Sequence, residues 1–194
     1  MSGQALKTAL LLIDMQEEMA LRTRAGRDRA NPRAEEHVAA LLSLFRARGL
    51  PVVHVLHDDA DPASPFRKDR AEGAPMACAA PRAGETVLWK HGSSAFHGTG
   101  LAEHLRAQGI GRIVLAGAVA AFCVTSSARW ASDLGFRVIL PGDALIGFDI
   151  PAHDGGRIDA ATVLRVTLSI LGADFVQLVT AADVPDLLPG MAAA

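Results

Sequence analysis

Four stretches of the chain are almost continuously aliphatic, and segments with helical periodicity separate them. They cover residues 8–13, 51–57, 112–117 and 136–140. Short apolar runs without polar alternation are typical of strands that are covered on both faces of a parallel sheet. Residues 86–89 and 174–179 show a weaker form of the same pattern.

Helical patterns alternate with these strands. The clearest covers residues 33–48, which place Val38, Leu41, Leu42 and Phe45 on one stripe. Further helices are predicted over residues 101–108, 123–134 and 158–171. A glycine follows each of the four, which is typical of a helix C-terminus: Gly49, Gly109, Gly135 and Gly172. The alternation predicts a three-layer α/β domain around a parallel sheet.

The composition limits the possible functions. The 194 residues, 50% hydrophobic and 21% charged with a net charge of -2, suit one soluble domain over residues 1–194. There is no basic excess to indicate nucleic acid, and no apolar run approaches the ~20 residues that cross a bilayer. The first apolar run stops at Asp14 without a cleavage site, so we expect a cytoplasmic protein. The two cysteines indicate neither a disulfide framework nor structural zinc.

Polar residues follow the predicted strands at their carboxyl ends, where parallel sheets bind ligands. Asp14 follows the first strand, and Lys90 follows the weak strand at 86–89. Cys123 follows the strand at 112–117, and three polar residues come after the second strand: His57, Asp58 and Asp59. Taken singly, each has a structural explanation: a helix cap for Asp14, a solvated lysine, a small buried cysteine. Their common edge instead predicts one crevice that holds an acid, an ammonium and a thiol.

These three groups suit acyl transfer. A helix N-terminus and the Lys90 ammonium are expected to lower the pKa of the Cys123 thiol. Asp14 would accept the thiol proton and pass it to the leaving nitrogen. The small residues 117–121 would let backbone N–H groups approach an oxyanion.

At these residues the sequence resembles the isochorismatase-like cysteine hydrolase superfamily. LLLIDMQ resembles the motif of the catalytic aspartate, WKHGSSAFHGTGLAEHLRAQGI the lysine segment, and LAGAVAAFCVTSSARWASDLGFRVILPGDA the cysteine segment. The resemblance implies a six-stranded parallel, Rossmann-like sheet, an Asp14–Lys90–Cys123 triad and hydrolysis of an amide-type C–N bond through a thioester. It also implies a cis peptide between Ala118 and Val119, with the N–H groups of Val119 and Cys123 as oxyanion donors.

Several positions depart from the family pattern. Ala120 and Ala121 stand where many members carry Thr-Asp, and HVLHDD lacks the Asp-x-His metal motif of nicotinamidases. No metal or cofactor is therefore expected. The remaining candidates for substrate contact are one methionine, one histidine and two aromatic residues: Met19, His57, Phe96 and Phe122. Cys78 has no accompanying acid or lysine motif, which indicates an inert thiol.

The leading hypothesis is a metal-independent amidohydrolase for a small amide, ureide or lactam. Isochorismatase-type vinyl-ether hydrolysis is an alternative, although that activity does not need the retained cysteine. A catalytically silent, ligand-binding member is a third possibility, and nucleotide binding is disfavoured because no glycine-rich phosphate motif follows a strand. Specificity is expected to reside in residues 58–85, an irregular stretch rich in proline, alanine and charge, and in residues 146–157. That stretch and the resemblance favour a homo-oligomer, a dimer or tetramer.

Overall fold

A computed structural model describes residues 6–188, and its centre is a parallel sheet. Six strands run side by side in the spatial order β10-β6-β5-β1-β3-β4. In chain order they are β1 (Lys7–Ile13), β3 (Val52–His57), β4 (Thr86–Lys90), β5 (Ile110–Ala118), β6 (Arg137–Pro141) and β10 (Gln177–Val179). All five pairings between neighbours in this path are parallel.

Helices cover both faces of the sheet. They are α1 (Glu17–Arg24), α2 (Ala34–Ala47), α3 (Leu101–Ala107), α4 (Thr125–Asp133), α5 (Ala160–Asp174) and α6 (Val184–Leu187). Alternate residues of β1 point to opposite faces: Leu11 packs in the cluster with α3, α4 and α5, and Leu12 in the cluster with α1, α2 and α6. Burial on both faces explains why these strands have no polar alternation, and it confirms the three-layer α/β/α prediction.

Four further strands lie outside this six-strand path, and the sequence analysis did not predict them. They are β2 (Arg29–Ala30), β7 (Leu145–Phe148), β8 (Ile150–Ala152) and β9 (Gly156–Ile158). β7 pairs in parallel with the end of β5 and antiparallel with β2, and β8 and β9 form a separate hairpin. Each is too short to give a readable pattern of hydrophobic positions.

Three of the four predicted helix ends are confirmed, and the one predicted at Gly172 is wrong. Gly49, Gly109 and Gly135 follow their helices in the left-handed region, with φ of 61°, 71° and 87°. Gly172 instead lies inside α5, which continues to Asp174. A Cβ atom there would lie 3.5 Å from the Cβ of Leu178, so this glycine faces β10 at close range and does not end the helix.

Residues 58–85 are irregular apart from two short 3-10 turns, Ala71–Gly73 and Ala77–Ala79. The buried side chain of Gln16 fastens this segment to the sheet. Its Nε2 donates to the carbonyl oxygens of His57 (2.9 Å) and Gly73 (2.8 Å), and its Oε1 accepts from the N–H of His57 (2.9 Å). One side chain therefore fixes both the end of β3 and the loop beside it.

Candidate active site

The sheet brings Asp14, His57, Lys90 and Cys123 to one edge because four of its strands are consecutive neighbours. β5, β1, β3 and β4 lie side by side, and His57 and Lys90 are register partners at the ends of β3 and β4. Asp14 follows β1 with φ of 48°, so the chain turns sharply at the point where the carboxylate leaves the strand.

Gly117 lets the end of β5 approach β1 at the same level. A Cβ atom there would lie 2.2 Å from the carbonyl oxygen of Ile13, and φ is 121°. Beyond it, the peptide bond between Ala118 and Val119 is cis, at the position that the family resemblance implied. A π-helical turn, Ala120–Val124, then carries Cys123 into α4. Small residues in this loop therefore allow the thiol to lie directly above the end of β1.

Lys90 is the centre of the cluster. Its Nζ lies 2.9 Å from Oδ2 of Asp14, 3.0 Å from Nδ1 of His57, 3.1 Å from the carbonyl oxygen of Gly92 and 3.3 Å from Sγ of Cys123. The ammonium has three N–H donors for these four acceptors. It links the carboxylate to the sulfur, which are the two groups that exchange a proton in the predicted chemistry.

Burial dominates the electrostatics of the acid and the thiol. It raises the pKa of the Asp14 carboxyl above its ordinary value, and the Lys90 ammonium opposes that rise. Burial, together with the Asp14 charge, raises the pKa of the Cys123 thiol to about 12. The Lys90 ammonium lowers the pKa of this thiol, as predicted, but burial and the Asp14 charge outweigh it. The expectation of a net lowered pKa is therefore wrong.

One of the two carboxylate oxygens of Asp14 is not engaged in a hydrogen bond with the described part of the chain. Within residues 6–188, the buried Oδ1 has no hydrogen-bond partner, whereas Oδ2 is occupied by Lys90. The thiol of Cys123 lies close enough to act as a hydrogen-bond donor that lowers the pKa of Asp14. Oδ1 is thus the carboxylate oxygen that is free to accept a proton.

His57 lies beside the Lys90 ammonium, with its Nδ1 3.0 Å from Nζ. Burial and the Lys90 ammonium both lower its pKa, which favours the neutral ring. A hydrogen bond from Lys90 to Nδ1 goes with a ring proton on Nε2. The ring packs edge-on against Phe66 with the centroids 5.7 Å apart.

A cavity of about 350 Å³ opens above these groups. Asp14, His57 and Cys123 contribute polar atoms to its lining, and two arginines and an aspartate are its other charged residues: Arg22, Arg27 and Asp59. The apolar lining consists of Met19, Phe66, Val119 and Phe122. Phe122 is 54% exposed, so its ring is available to a ligand.

The structure brings together three of the four residues proposed for substrate contact. Met19, His57 and Phe122 line the cavity. Phe96 does not: it is buried in the hydrophobic core, where its ring lies 5.9 Å from that of Phe136. An aromatic residue beside a motif serves packing as readily as binding, and the sequence does not separate the two.

Sequence reasoning missed Gln16, Arg22, Arg27 and Phe66. Gln16 carried a signal, since it is a polar residue within the apolar stretch around LLLIDMQ and is fully buried. The two arginines carried none, because the sequence gives no sign that α1 and the turn after it face the cavity. Within residues 6–188, no group of three or more His, Cys, Asp and Glu side chains could hold a metal ion. No helix in the same range is long and apolar enough to cross a bilayer.

Comparison with known proteins agrees with this geometry. Residues 8–168 match the isochorismatase domain. The chain belongs to the isochorismatase family. Maleamate amidohydrolase from Pseudomonas putida is 38% identical over 174 residues, which cover 81% of this chain and 80% of that protein.

Solved structures of isochorismatase-family proteins have the same fold as this chain. An isochorismatase-family protein from Chromobacterium violaceum superposes with a TM-score of 0.87 and 38% identity, covering 92% of this chain and 91% of that one. N-carbamoylsarcosine amidase from Thermoplasma acidophilum superposes with a TM-score of 0.73 and 27% identity, covering 91% and 97%. This isochorismatase-family chain is thus related to hydrolases, among them enzymes that cleave C–N bonds.

Proposed function

We propose that this chain is a cysteine-dependent amidohydrolase that cleaves the C–N bond of a small amide, ureide or lactam through a thioester, without a metal ion. The observation that carries the proposal is the position of the buried Lys90 ammonium, within hydrogen-bond distance of both the Asp14 carboxylate and the Cys123 sulfur. Asp14 and Cys123 line a cavity. The names of the relatives, an amidohydrolase and an amidase, support the same reaction class.

The first step forms the thioester. The Cys123 sulfur attacks the amide carbonyl carbon as its proton moves to Oδ1 of Asp14, and the carbonyl oxygen becomes an oxyanion. The N–H groups of Val119 and Cys123, which belong to the loop at the cavity, would donate to that oxygen. Asp14 then gives its proton to the nitrogen, the C–N bond breaks, and ammonia or an amine leaves.

Water completes the cycle. It attacks the thioester carbonyl and gives its proton to Asp14, and collapse of the second tetrahedral intermediate releases the acid and the Cys123 thiolate. The proton returns from Asp14 to sulfur. Each group therefore ends in its starting state.

The raised pKa values support an internal proton transfer. Because burial raises the pKa of Asp14, its carboxylate is a stronger base than an exposed one. Moving the proton from sulfur to Asp14 leaves the total charge of the cluster unchanged, so no charge is added to the buried site. Lys90 then faces a thiolate instead of a carboxylate, at 3.3 Å, which stabilises the nucleophile.

A panel of small amides, ureides and lactams, assayed for ammonia or acid release, tests this proposal. The wild-type protein is expected to hydrolyse at least one compound and to form an acyl adduct on Cys123 that intact-mass spectrometry detects after rapid acid quenching. Cys123→Ala should bind the compound without turnover, and Cys78→Ala should behave as wild type. Turnover by Cys123→Ala would overturn the thioester, and a panel without turnover would favour a ligand-binding member of the family.

We also propose that the protein is a homo-oligomer. Val166 and Ile170 on the outer side of α5 are 49% and 47% exposed, which supports an apolar contact surface. Light scattering coupled to size-exclusion chromatography tests it, and a monomer would contradict it. The cytoplasmic location stays a prediction.

A further inference from the structure

Two arginines line the same cavity as Cys123, although the proposed reaction uses neither. Arg22 lies on α1, and Arg27 follows that helix. Their side chains are 28% and 33% exposed, so both are partly desolvated at the cavity. A guanidinium in such a position is fitted to bind an oxyanion or a carboxylate.

Arg22 is held in place while one edge of its guanidinium stays open. Its Nε donates to Oε1 of Glu18 at 2.7 Å, and its Cζ lies 5.1 Å from the ring centroid of Phe66. Within residues 6–188, neither of its two Nη atoms has a hydrogen-bond partner. The two Nη atoms form the edge that binds a carboxylate with two parallel hydrogen bonds.

Arg27 is bound more tightly to the protein. Its Nε donates to Oδ1 of Asp149 (3.0 Å) and its Nη2 to the carbonyl oxygen of the same residue (2.8 Å). Arg157 pairs with the other carboxylate oxygen of Asp149. Two guanidinium groups thus share one carboxylate, which leaves positive charge beside the cavity while it fixes Arg27.

The carboxylates of the cavity are already occupied, which argues against a cationic substrate group. Asp14 is paired with Lys90. Asp59 accepts a hydrogen bond from the N–H of Asp61, and further hydrogen bonds from Ser64 and Ala60 lower its pKa. Among the described residues, the Nη atoms of Arg22 are therefore unpaired donors that carry positive charge in the lining, whereas the one buried carboxylate oxygen without a partner, Oδ1 of Asp14, is reserved for the proposed proton transfer.

We propose that Arg22 binds a carboxylate of the substrate, and that the substrate class is the monoamide of a short dicarboxylic acid. This inference rests on the proposed amidohydrolase function. Arg22 would hold one end of the molecule while the amide carbonyl at the other end faces Cys123. Arg27 would add positive charge without releasing Asp149. A cavity of about 350 Å³ accommodates a compound of this size.

The test compares matched acids and neutral amides. Maleamate, succinamate and glutaramate are assayed for ammonia release beside the diamides maleamide, succinamide and glutaramide, which replace the carboxylate by a carboxamide of equal shape. Wild type is expected to favour a monoamide acid. Arg22→Gln should lower kcat/KM for that acid on the order of 10- to 100-fold, mainly through KM, because a charge-assisted pair is lost. The same variant should change kcat/KM for the diamide by less than about twofold, and Arg22→Lys should be intermediate.

Arg24→Gln is the matched control, because Arg24 lies on the same helix with its side chain 62% exposed and does not line the cavity. It should leave both kinds of substrate unaffected. An equal loss for acid and diamide in Arg22→Gln, or a wild-type preference for diamides, would overturn the role of Arg22 and leave the amidohydrolase proposal intact.

A binding measurement separates the two proposals if none of the compounds is hydrolysed. That outcome contradicts the amidohydrolase function for this substrate class. Calorimetric titration with maleate and succinate then tests the anion site directly, using wild type and Arg22→Gln at equal concentration. Binding by wild type that Arg22→Gln loses supports the anion site, and equal or absent binding refutes it.

Discussion

The Nζ atom of Lys90 lies 2.9 Å from Oδ2 of Asp14, and the two side chains are only 0% and 3% exposed. A buried ion pair of this kind is costly to break, because removing one partner leaves the other charge without compensation. The pair is nearly neutral as a unit, and in the proposed mechanism Cys123 contributes the one proton that moves within the cluster. Tests of the mechanism therefore need to change one member at a time and follow the other two.

Asp14→Asn is expected to lower turnover by roughly 10²–10⁴-fold, since the amide neither accepts the thiol proton nor delivers it to the leaving nitrogen. Substrate affinity should change little, so the loss should appear in kcat. Steady-state kinetics and a binding titration measure the two quantities separately. Asp69→Asn, an exposed aspartate paired with Arg67, is the control. Turnover within threefold of wild type in Asp14→Asn would exclude Asp14 as the proton carrier.

Alkylation distinguishes the two thiols. Burial raises the pKa of Cys78 to about 11 and that of Cys123 to about 12, so neither is a free thiolate at neutral pH. Only Cys123 has a carboxylate placed to take its proton, and we expect iodoacetamide to label it faster than Cys78. Asp14→Asn should slow labelling of Cys123 and leave Cys78 unchanged, as peptide mass spectrometry can show. Equal rates at the two cysteines in wild type would remove the basis for assigning the nucleophile.

Chelation tests the absence of a metal requirement. The proton transfers proposed above use only Asp14 and Cys123, so dialysis against a strong chelator is expected to leave activity unchanged. Elemental analysis of the purified protein should find no stoichiometric metal. Activity that is lost to the chelator and restored by zinc or iron would contradict the proposal.

The sequence was sufficient for the sheet and for the convergence of Asp14, Lys90 and Cys123. Long aliphatic runs predict buried parallel strands, and in such a sheet the residues that follow neighbouring strands meet at one edge. The order of the strands in space is not visible in the pattern. The common sheet edge predicted one crevice for these three strand ends, and the family resemblance added the expectation that they form a catalytic triad.

The role of a side chain could not be predicted from the sequence where its surroundings in the folded protein decide that role. Phe96 has the same neighbours in sequence whether it faces a ligand or Phe136, and only the fold places it in the core. The pKa of Cys123 depends on how completely the protein excludes water from sulfur, which a motif does not encode. Arg22 reaches the cavity only because α1 packs beside residues 58–85, and no pattern in the chain predicts that contact.

Gln16 is expected to be essential for stability, since one side chain satisfies three backbone groups. Gln16→Leu would leave the N–H and carbonyl of His57 and the carbonyl of Gly73 without their partner. Buried polar groups without partners cost about 1–3 kcal/mol each, so the free energy of unfolding should fall by at least about 2 kcal/mol. Chemical denaturation measures it, with the exposed Gln108→Leu as the control. Equal unfolding free energies for the two variants would show that water replaces the lost bonds.

Lys90→Met should displace the acid limb of the pH–rate profile to higher pH. Asp14 must be ionised to accept the thiol proton, so activity falls as the pH drops through its pKa. Burial raises that pKa and Lys90 opposes the rise, so losing the ammonium removes the opposing effect and raises the pKa further. At neutral pH the variant should therefore be less active for two reasons. The Cys123 thiolate loses the ammonium that stabilises it, and a larger fraction of Asp14 is protonated and unable to accept the thiol proton.

The control for this variant is Lys68→Met, which removes a lysine that is 61% exposed and pairs with Asp58 at 3.5 Å. Its acid limb should coincide with that of wild type. The double variant Lys90→Met/Asp14→Asn removes both buried charges and should recover thermal stability relative to Lys90→Met without recovering activity. An acid limb that stays in place in Lys90→Met, measured as kcat/KM from pH 4 to 9, would mean that a group other than Asp14 governs proton transfer.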